Sequence, residues 1–186
     1  MGVRSFGIIL ALSALAGTAG FAQVKQQSVS ALKGHNSNAP VDVTADRIEV
    51  QDRADRAIFA GNVHAVQAEL TLESPRLTVA YSGGGGDNSN VQIHRLDAAG
   101  GVVVRSPSET ARGDFGIYDL DRKLITLIGN VQLNRENNQV NGSRLVIDID
   151  SGRAVVDGGP PGVNSSGGRV SGHFTVPQRQ QNQPKR

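Results

Sequence analysis

The chain has 186 residues, a formal net charge of +2 and neither cysteine nor tryptophan, a length that suits one domain, or two at most. Lack of cysteine excludes disulfide staples, a thiol nucleophile and a Cys-rich metal site, so stability must come from burial and strand pairing. The near balance of 19 basic and 17 acidic residues excludes a strong field for nucleic acid or an anionic membrane.

Residues 1–22 read as a cleaved export signal. Arg4 lies in a short leading stretch, IILALSALAGTA is apolar, and Gly20-Phe21-Ala22 has small-x-small spacing. A membrane span needs about 20 apolar residues, more than this stretch supplies. The mature chain then starts near Gln23, outside the cytoplasm. Residues 23–39 are polar without a sustained period and read as a flexible lead-in. From Pro40 the texture changes. VDVTA, DRIEV, ELTLE, RLTVAY, NVQIHRL, VQLNR and RLVIDID alternate apolar and polar residues, the pattern of antiparallel strands with one buried face. A one-residue phase slip between Ala45 and Ile48 predicts a bulge or turn there. No helical window keeps a 3.6 period, so almost no helix is expected. DRADR, GGGGDNSN, DLDRK, RENNQVNG and DSGR supply the turns, and the Gly83–Gly86 run predicts a mobile loop. Residues 159–186 read as a Gly/Pro linker, room for a last short strand in RVSGHFTV, and a disordered polar and basic tail.

Gly-Asn-Val occurs twice. Gly61-Asn62-Val63 falls on Gly129-Asn130-Val131, 68 positions later, and the same offset carries Arg76-Leu77 onto Arg144-Leu145. Asp55-Arg56 matches Asp121-Arg122 with a two-residue length change. GGVVV at 100–104 reads as a degenerate copy, and GRAVVDG at 152–158 as the start of a further unit. Each unit reads strand, charged turn, strand, Gly-Asn, strand, turn, strand. Gly can take backbone angles closed to other residues, so each Gly-Asn is a place for a bend or bulge. Repetition of this kind implies units that bury their apolar face only by stacking; two similar hairpins in an ordinary sandwich is the alternative.

Signs of catalysis are missing. There is no phosphate-binding Gly-x-x-x-x-Gly-Lys loop, no His-Glu-x-x-His and no Gly-x-Ser-x-Gly elbow. His35, His64, His94 and His173 are isolated and read as surface residues. Asp148-Ile149-Asp150-Ser151-Gly152 lacks the later ligands of a calcium loop and reads as a hairpin turn. Asp119 and Asp121 fall in a turn and read as solvated. No catalytic residue, metal or cofactor is expected.

Residues 40–81 (PVDVTADRIEVQ through RLTVAY) and 113–158 (GDFGIYDLDRK through GRAVVDG) resemble the two halves of the LptA/OstA-type domain of periplasmic lipopolysaccharide transport. The likeness spans about residues 40–158 and rests on Ala45-Asp46, the Gly-Asn-Val turns and Tyr118-Asp119. The Gly83–Gly86 loop, the linker near 160 and the basic tail fall outside it. The resemblance implies an all-β fold, an open V-shaped antiparallel β-jellyroll built from internal strand repeats. It also implies an apolar trough for the acyl chains of lipid A. Residues placed to line that trough are Val41, Val43, Ile48, Val50, Phe59, Val63, Leu72, Leu77, Val79, Ile93, Val102, Val104, Tyr118, Leu120, Leu127, Val131, Leu133, Leu145 and Ile147. Low aromatic content suits acyl chains better than sugar stacking.

By the same resemblance, the outermost strands are interfaces for strand addition. Val41, Asp42, Val43, Thr44 and Ala45 would form one edge, and Arg153, Ala154, Val155, Val156 and Asp157 the other, each bounded by Pro or Gly. Implied partners are lipopolysaccharide, head-to-tail copies, and related jellyroll domains of an inner-membrane-anchored component and an outer-membrane translocon. Two alternatives stay open: the inner-membrane-anchored member of the same fold, and a secreted β-sandwich that binds polysaccharide or serves as a structural envelope protein.

Overall fold

The computed structural model describes Leu32 and residues 35–83, 91–159 and 168–176. The expected export signal, most of the lead-in, the loop after Gly83, most of the Gly/Pro linker and the terminal tail lie outside them.

Among the described residues, alternation of β-branched and polar residues becomes ten strands, β1 (Val41–Thr44), β2 (Arg47–Gln51), β3 (Arg56–Gln67), β4 (Leu70–Ser82), β5 (Gln92–Arg105), β6 (Glu109–Asp119), β7 (Leu124–Arg135), β8 (Asn138–Asp148), β9 (Arg153–Asp157) and β10 (Ser171–His173). The expected near-absence of helix holds among the described residues, where the one helical element is a 3-10 turn at Asp52–Ala54. No helix among them is long and apolar enough to cross a membrane. All ten strands join one antiparallel sheet in the order β1-β3-β4-β5-β6-β7-β8-β10, with β2 also on β3 and β9 also on β8.

A fold line crosses this sheet. In β3 the ladder shifts at Gly61-Asn62, and in β7 at Gly129-Asn130. Between them it shifts beside Pro75 of β4, at Gly100-Gly101 of β5 and at Asp114 of β6. The break between β1 and β2 at Ala45-Asp46, and that between β9 and β10, continue the line to both edges. Gly61 and Gly129 take φ of 80° and 79°, and Asn62 and Asn130 both take 44°. These are left-handed angles that Gly and Asn tolerate best. Gly-Asn therefore lies inside one continuous bulged strand rather than between two strands, and ELTLE and RLTVAY are likewise one strand, β4.

Each strand so divided contributes to two layers. Ala65, Leu70, Leu72 and Val104 from one layer and Leu96, Tyr118, Ile125 and Leu127 from the other surround one small void, so the layers face each other across a shared core. Leu77, Leu127 and Leu145 are wholly buried there.

The repeat is complete at the level of register. Adding 68 to both members of each β1:β3 and β2:β3 pair gives the β6:β7 pairs, and the same step carries β3:β4 onto β7:β8. The unbroken β6 is thus the counterpart of β1 plus β2. Left-handed residues follow suit, Asp55 with Lys123 and Ala68 with Glu136. This corrects the expected pairing of Asp55-Arg56 with Asp121-Arg122: Asp55 corresponds to Lys123 with no length change. β9 on β8 repeats the first half of β5 on β4 at a step of 58, and β10 on β8 repeats the second half at 68. GRAVVDG therefore closes the second unit; it does not open a third.

Candidate functional site

The inner face of the folded sheet is shut at its centre and hollow at one end. Between the layers the central void is about 20 Å³, room for about one water. At the edge of the first unit a larger, half-open hollow of about 640 Å³ is lined by Val41, Val43, Ile48, Val50, Ala57, Phe59, Val79, Tyr81, Val91 and Ile93, together with Asp52, Asp55 and Gly83. That is within the range of about 300–1,000 Å³ typical of ligand sites. The walls are aliphatic but for Phe59 and Tyr81. Burial first, then Asp52 and Asp55, push the Tyr81 hydroxyl above its usual range.

Polar groups close the space where β1 and β6 begin and β3 ends. Gln67 is buried, and its amide nitrogen donates to the carbonyls of Ser37 and Ala39, both at 2.9 Å. Its oxygen accepts from the Tyr118 hydroxyl at 2.8 Å and lies 3.1 Å from His35 Nε2. Burial pushes Tyr118 up to about 12. Leu32 packs into the core, and its N–H donates to Glu109 at 3.1 Å. Burial raises the Glu109 carboxyl above the ordinary range; the facing Arg135 and the Leu32 N–H oppose that rise. A buried polar group costs free energy unless it is hydrogen-bonded, and here Leu32, His35, Ser37 and Ala39 supply partners. Part of the expected lead-in is therefore tied down over this end.

Placement of the expected lining residues divides them. Val63, Leu72, Leu77, Val79, Val102, Val104, Tyr118, Leu127, Val131, Leu145 and Ile147 are buried in the common core. Val41, Val43, Phe59, Ile93, Leu120 and Leu133 pack half-buried against it, while Ile48 and Val50 are exposed. Those that reach the large hollow are Val41, Val43, Ile48, Val50, Phe59, Val79 and Ile93. Sequence reasoning missed Ala57, Tyr81 and Val91. Tyr81 follows Val79 by two in the same strand, so strict alternation would have included it; Ala57 is too small to stand out as apolar.

One further residue was missed at the fold line, Asp114, the counterpart of the Asp46 already named in the resemblance. Asn62 Nδ2 donates to Asp46 Oδ2 at 2.9 Å, and Asn130 Nδ2 donates to Asp114 Oδ2 at 2.8 Å. A Cβ on Gly61 or Gly129 would collide with the same two carboxylates. Asp46 and Asp114 are themselves 68 apart, so the offset already in hand would have found Asp114.

Both expected edge strands are outermost. β1 and β2 pair only with β3, and β9 and β10 only with β8, among the described residues. Of the histidines, His94 is not isolated in space: Nε2 lies 2.7 Å from Ser82 Oγ and Nδ1 lies 2.9 Å from Asp121 Oδ2. All three groups are solvent-exposed at a sheet end. Catalysis of this kind relies on a dry site with preorganised donors, so we read the trio as a staple joining β4, β5 and the β6–β7 turn. Among the described residues no three His, Asp or Glu side chains gather as a metal site.

A family model described as LptA/(LptD N-terminal domain) LPS transport protein matches residues 42–153. A protein of Rhizobium meliloti (strain 1021), described as uncharacterized, is 32% identical over 161 residues, covering 85% of this chain and 82% of its own. Among solved structures, LptH is described as the LptA homologous periplasmic component of the conserved lipopolysaccharide transport device from Pseudomonas aeruginosa. It matches with a TM-score of 0.65 at 18% identity, over 76% of this chain and 99% of its own. At that identity the likeness is one of fold.

Proposed function

The chain belongs to the LptA/(LptD N-terminal domain) LPS transport protein family, a transport family rather than an enzyme family, and from that premise we propose a periplasmic carrier that holds the acyl chains of lipopolysaccharide and bridges the two membranes through strand addition at its ends. The observation that carries this reading is the aliphatic hollow of about 640 Å³ beside an unpaired edge. Lipid A cannot cross water unaided, because each buried methylene is worth roughly 0.8 kcal/mol. About ten methylenes moved from water into the hollow would supply roughly 8 kcal/mol, enough to hold a chain without covalent chemistry. Energy for directional movement comes from elsewhere, since the sequence has no nucleotide-binding loop. Residues 1–22 act as the export signal, which puts the carrier in the compartment where its cargo travels. Related jellyroll domains, one anchored at the inner membrane and one at the outer-membrane translocon, are the partners proposed for the two edges.

Photocrosslinking tests the binding site. With p-benzoylphenylalanine at Val50 or Ile93, purified protein should label radiolabelled lipopolysaccharide, while Thr126 on the outer face of β7 should not. Labelling at Thr126 equal to that at Val50, or none at Val50 and Ile93, refutes the site.

A further inference from the structure

A short segment ahead of β1 ties the two units together and is held on by few bonds. Leu32 is 8% exposed and packs in the core, and its N–H donates to Glu109 of β6 at 3.1 Å. Residues 35–39 form tight turns, with the His35 N–H donating to the Leu32 carbonyl at 3.0 Å, and the Ser37 and Ala39 N–H groups donating to the carbonyls of His35 and Asn36 at 3.1 Å. Their backbone joins no ladder, since the pairing of β1 with β3 begins at Val41. Their grip on the body is the side chain of Gln67 at the end of β3, which donates to the carbonyls of Ser37 and Ala39 and faces His35 Nε2. A cleft of about 140 Å³ lined by Leu32, His35, Leu70 and Pro107 leaves the segment short of the close packing of a protein interior.

We propose that Leu32 and residues 35–39 form a latch, and that its release joins the hollow at the edge of the first unit to the void between the layers. Val41 stands between the two spaces and lines both. It opens β1, and it follows by two residues the Ala39 carbonyl that Gln67 holds. With the latch closed, Val41 is pinned opposite Gln67, its ladder partner, and the void beyond it has room for about one water. With the latch open, the start of β1 loses its anchor, Val41 is free to swing aside, and the place that Leu32 leaves in the apolar core is added to the joined space.

The body is built to do without the segment. Each buried polar group that the segment satisfies has a second partner that stays behind. Gln67 keeps the Tyr118 hydroxyl, which donates to its oxygen at 2.8 Å, and Glu109 keeps Arg135 directly across the ladder. Removing the sole partner of a buried polar group is costly; here no group is left alone. The repeat explains why the segment is needed in the closed state. The second unit places Arg135 opposite Glu109 where the first places Gln67 opposite Val41. Opposite charges across a ladder attract, whereas Val41 offers the Gln67 amide nothing, so the first unit recruits carbonyls from Ser37 and Ala39. Leu32 is itself a short aliphatic chain in an aliphatic core, and an acyl chain replaces it like for like. The latch rests on the carrier reading only for what opens it, an acyl chain advancing past Val41.

Because the chain has no cysteine, Leu32→Cys gives a single reporter. It should react slowly with N-ethylmaleimide, and saturating lipopolysaccharide should speed the reaction about tenfold or more. On the unaltered chain, hydrogen exchange across residues 32–39 should rise with lipopolysaccharide while that of β7 does not. If lipopolysaccharide that photolabels from Val50 changes neither rate, the latch is overturned and the segment is a fixed plug. Gln67→Leu removes both bonds to the segment carbonyls and should speed Leu32→Cys labelling roughly tenfold without lipid. It should also tighten binding of the long cis-parinaric acid severalfold and leave the short octanoate unchanged; an equal change for both overturns the joining of the two spaces. Should Gln67→Leu fail to fold, the exchange measurement on the unaltered chain decides. If lipopolysaccharide labels from neither Val50 nor Ile93, the carrier reading falls, and the latch then stands or falls on the Gln67→Leu rate alone.

Discussion

The two units share a register and differ in what fills them. Position by position, the second unit carries Tyr118, Ile125 and Ile147 where the first carries Val50, Ala57 and Val79. Other positions run the opposite way, Phe59 against Leu127 and Tyr81 against Ile149, so side-chain size alone does not open the hollow of about 640 Å³. The second unit is covered by the first through β5 on β6, while β1 and β2 have no strand beyond them among the described residues. The difference lies in what covers each unit as well as in side-chain volume, and each part can be broken.

The largest effect is expected in the packed unit. Leu127→Ala removes a wholly buried side chain and should cost about 3 kcal/mol in urea unfolding. Its counterpart Phe59→Ala, on the wall of the hollow, should cost about 1 kcal/mol and act mainly on lipid labelling. Equal costs would mean the hollow is filled in solution by the protein itself. Next come Gly61→Ala and Gly129→Ala, which force a Cβ against Asp46 or Asp114 at a left-handed angle. Each should cost about 1–3 kcal/mol, and the two costs should match if the fold line is one structure repeated. Ala57→Ile installs the second unit's residue in the first. Stability should change by under about 1 kcal/mol, while lipid labelling from Val50 falls several-fold.

The smallest effect is pH-dependent. Glu109 occupies the position that Val41 holds in the first unit. Its folded-state carboxyl is raised mainly by burial, so folding favours the protonated form. That contribution is fully present below the ordinary carboxylate range and is lost as pH rises through the raised value. Glu109→Gln keeps an acceptor for the Leu32 N–H. It should raise the melting temperature slightly at pH 7 and leave it unchanged near pH 3. A gain at both pH values would point to packing rather than ionisation.

Much of the fold was legible because β-structure writes its faces at period two. Val63, Leu77, Val131 and Leu145 were all placed inward by alternation alone, and the phase slip before Ile48 marked the real break between β1 and β2. How far apart the layers stand was not legible. That distance depends on which side chain meets which across the gap, as when Tyr118 reaches Gln67, 51 positions away. Short dipeptides misled where length did not: Asp-Arg matched by composition, yet backbone angles pair Asp55 with Lys123. The Leu32 seal could not be read either, since one leucine in a polar run carries no period.

The fold line also bears on how such a molecule can lengthen. The fold-line shifts lie at corresponding places in successive strands, with one more at Ala80/Tyr81 of β4, so each unit meets the next through the same kind of pairing. Duplicating a unit within the gene would therefore lengthen the molecule without requiring a new kind of joint.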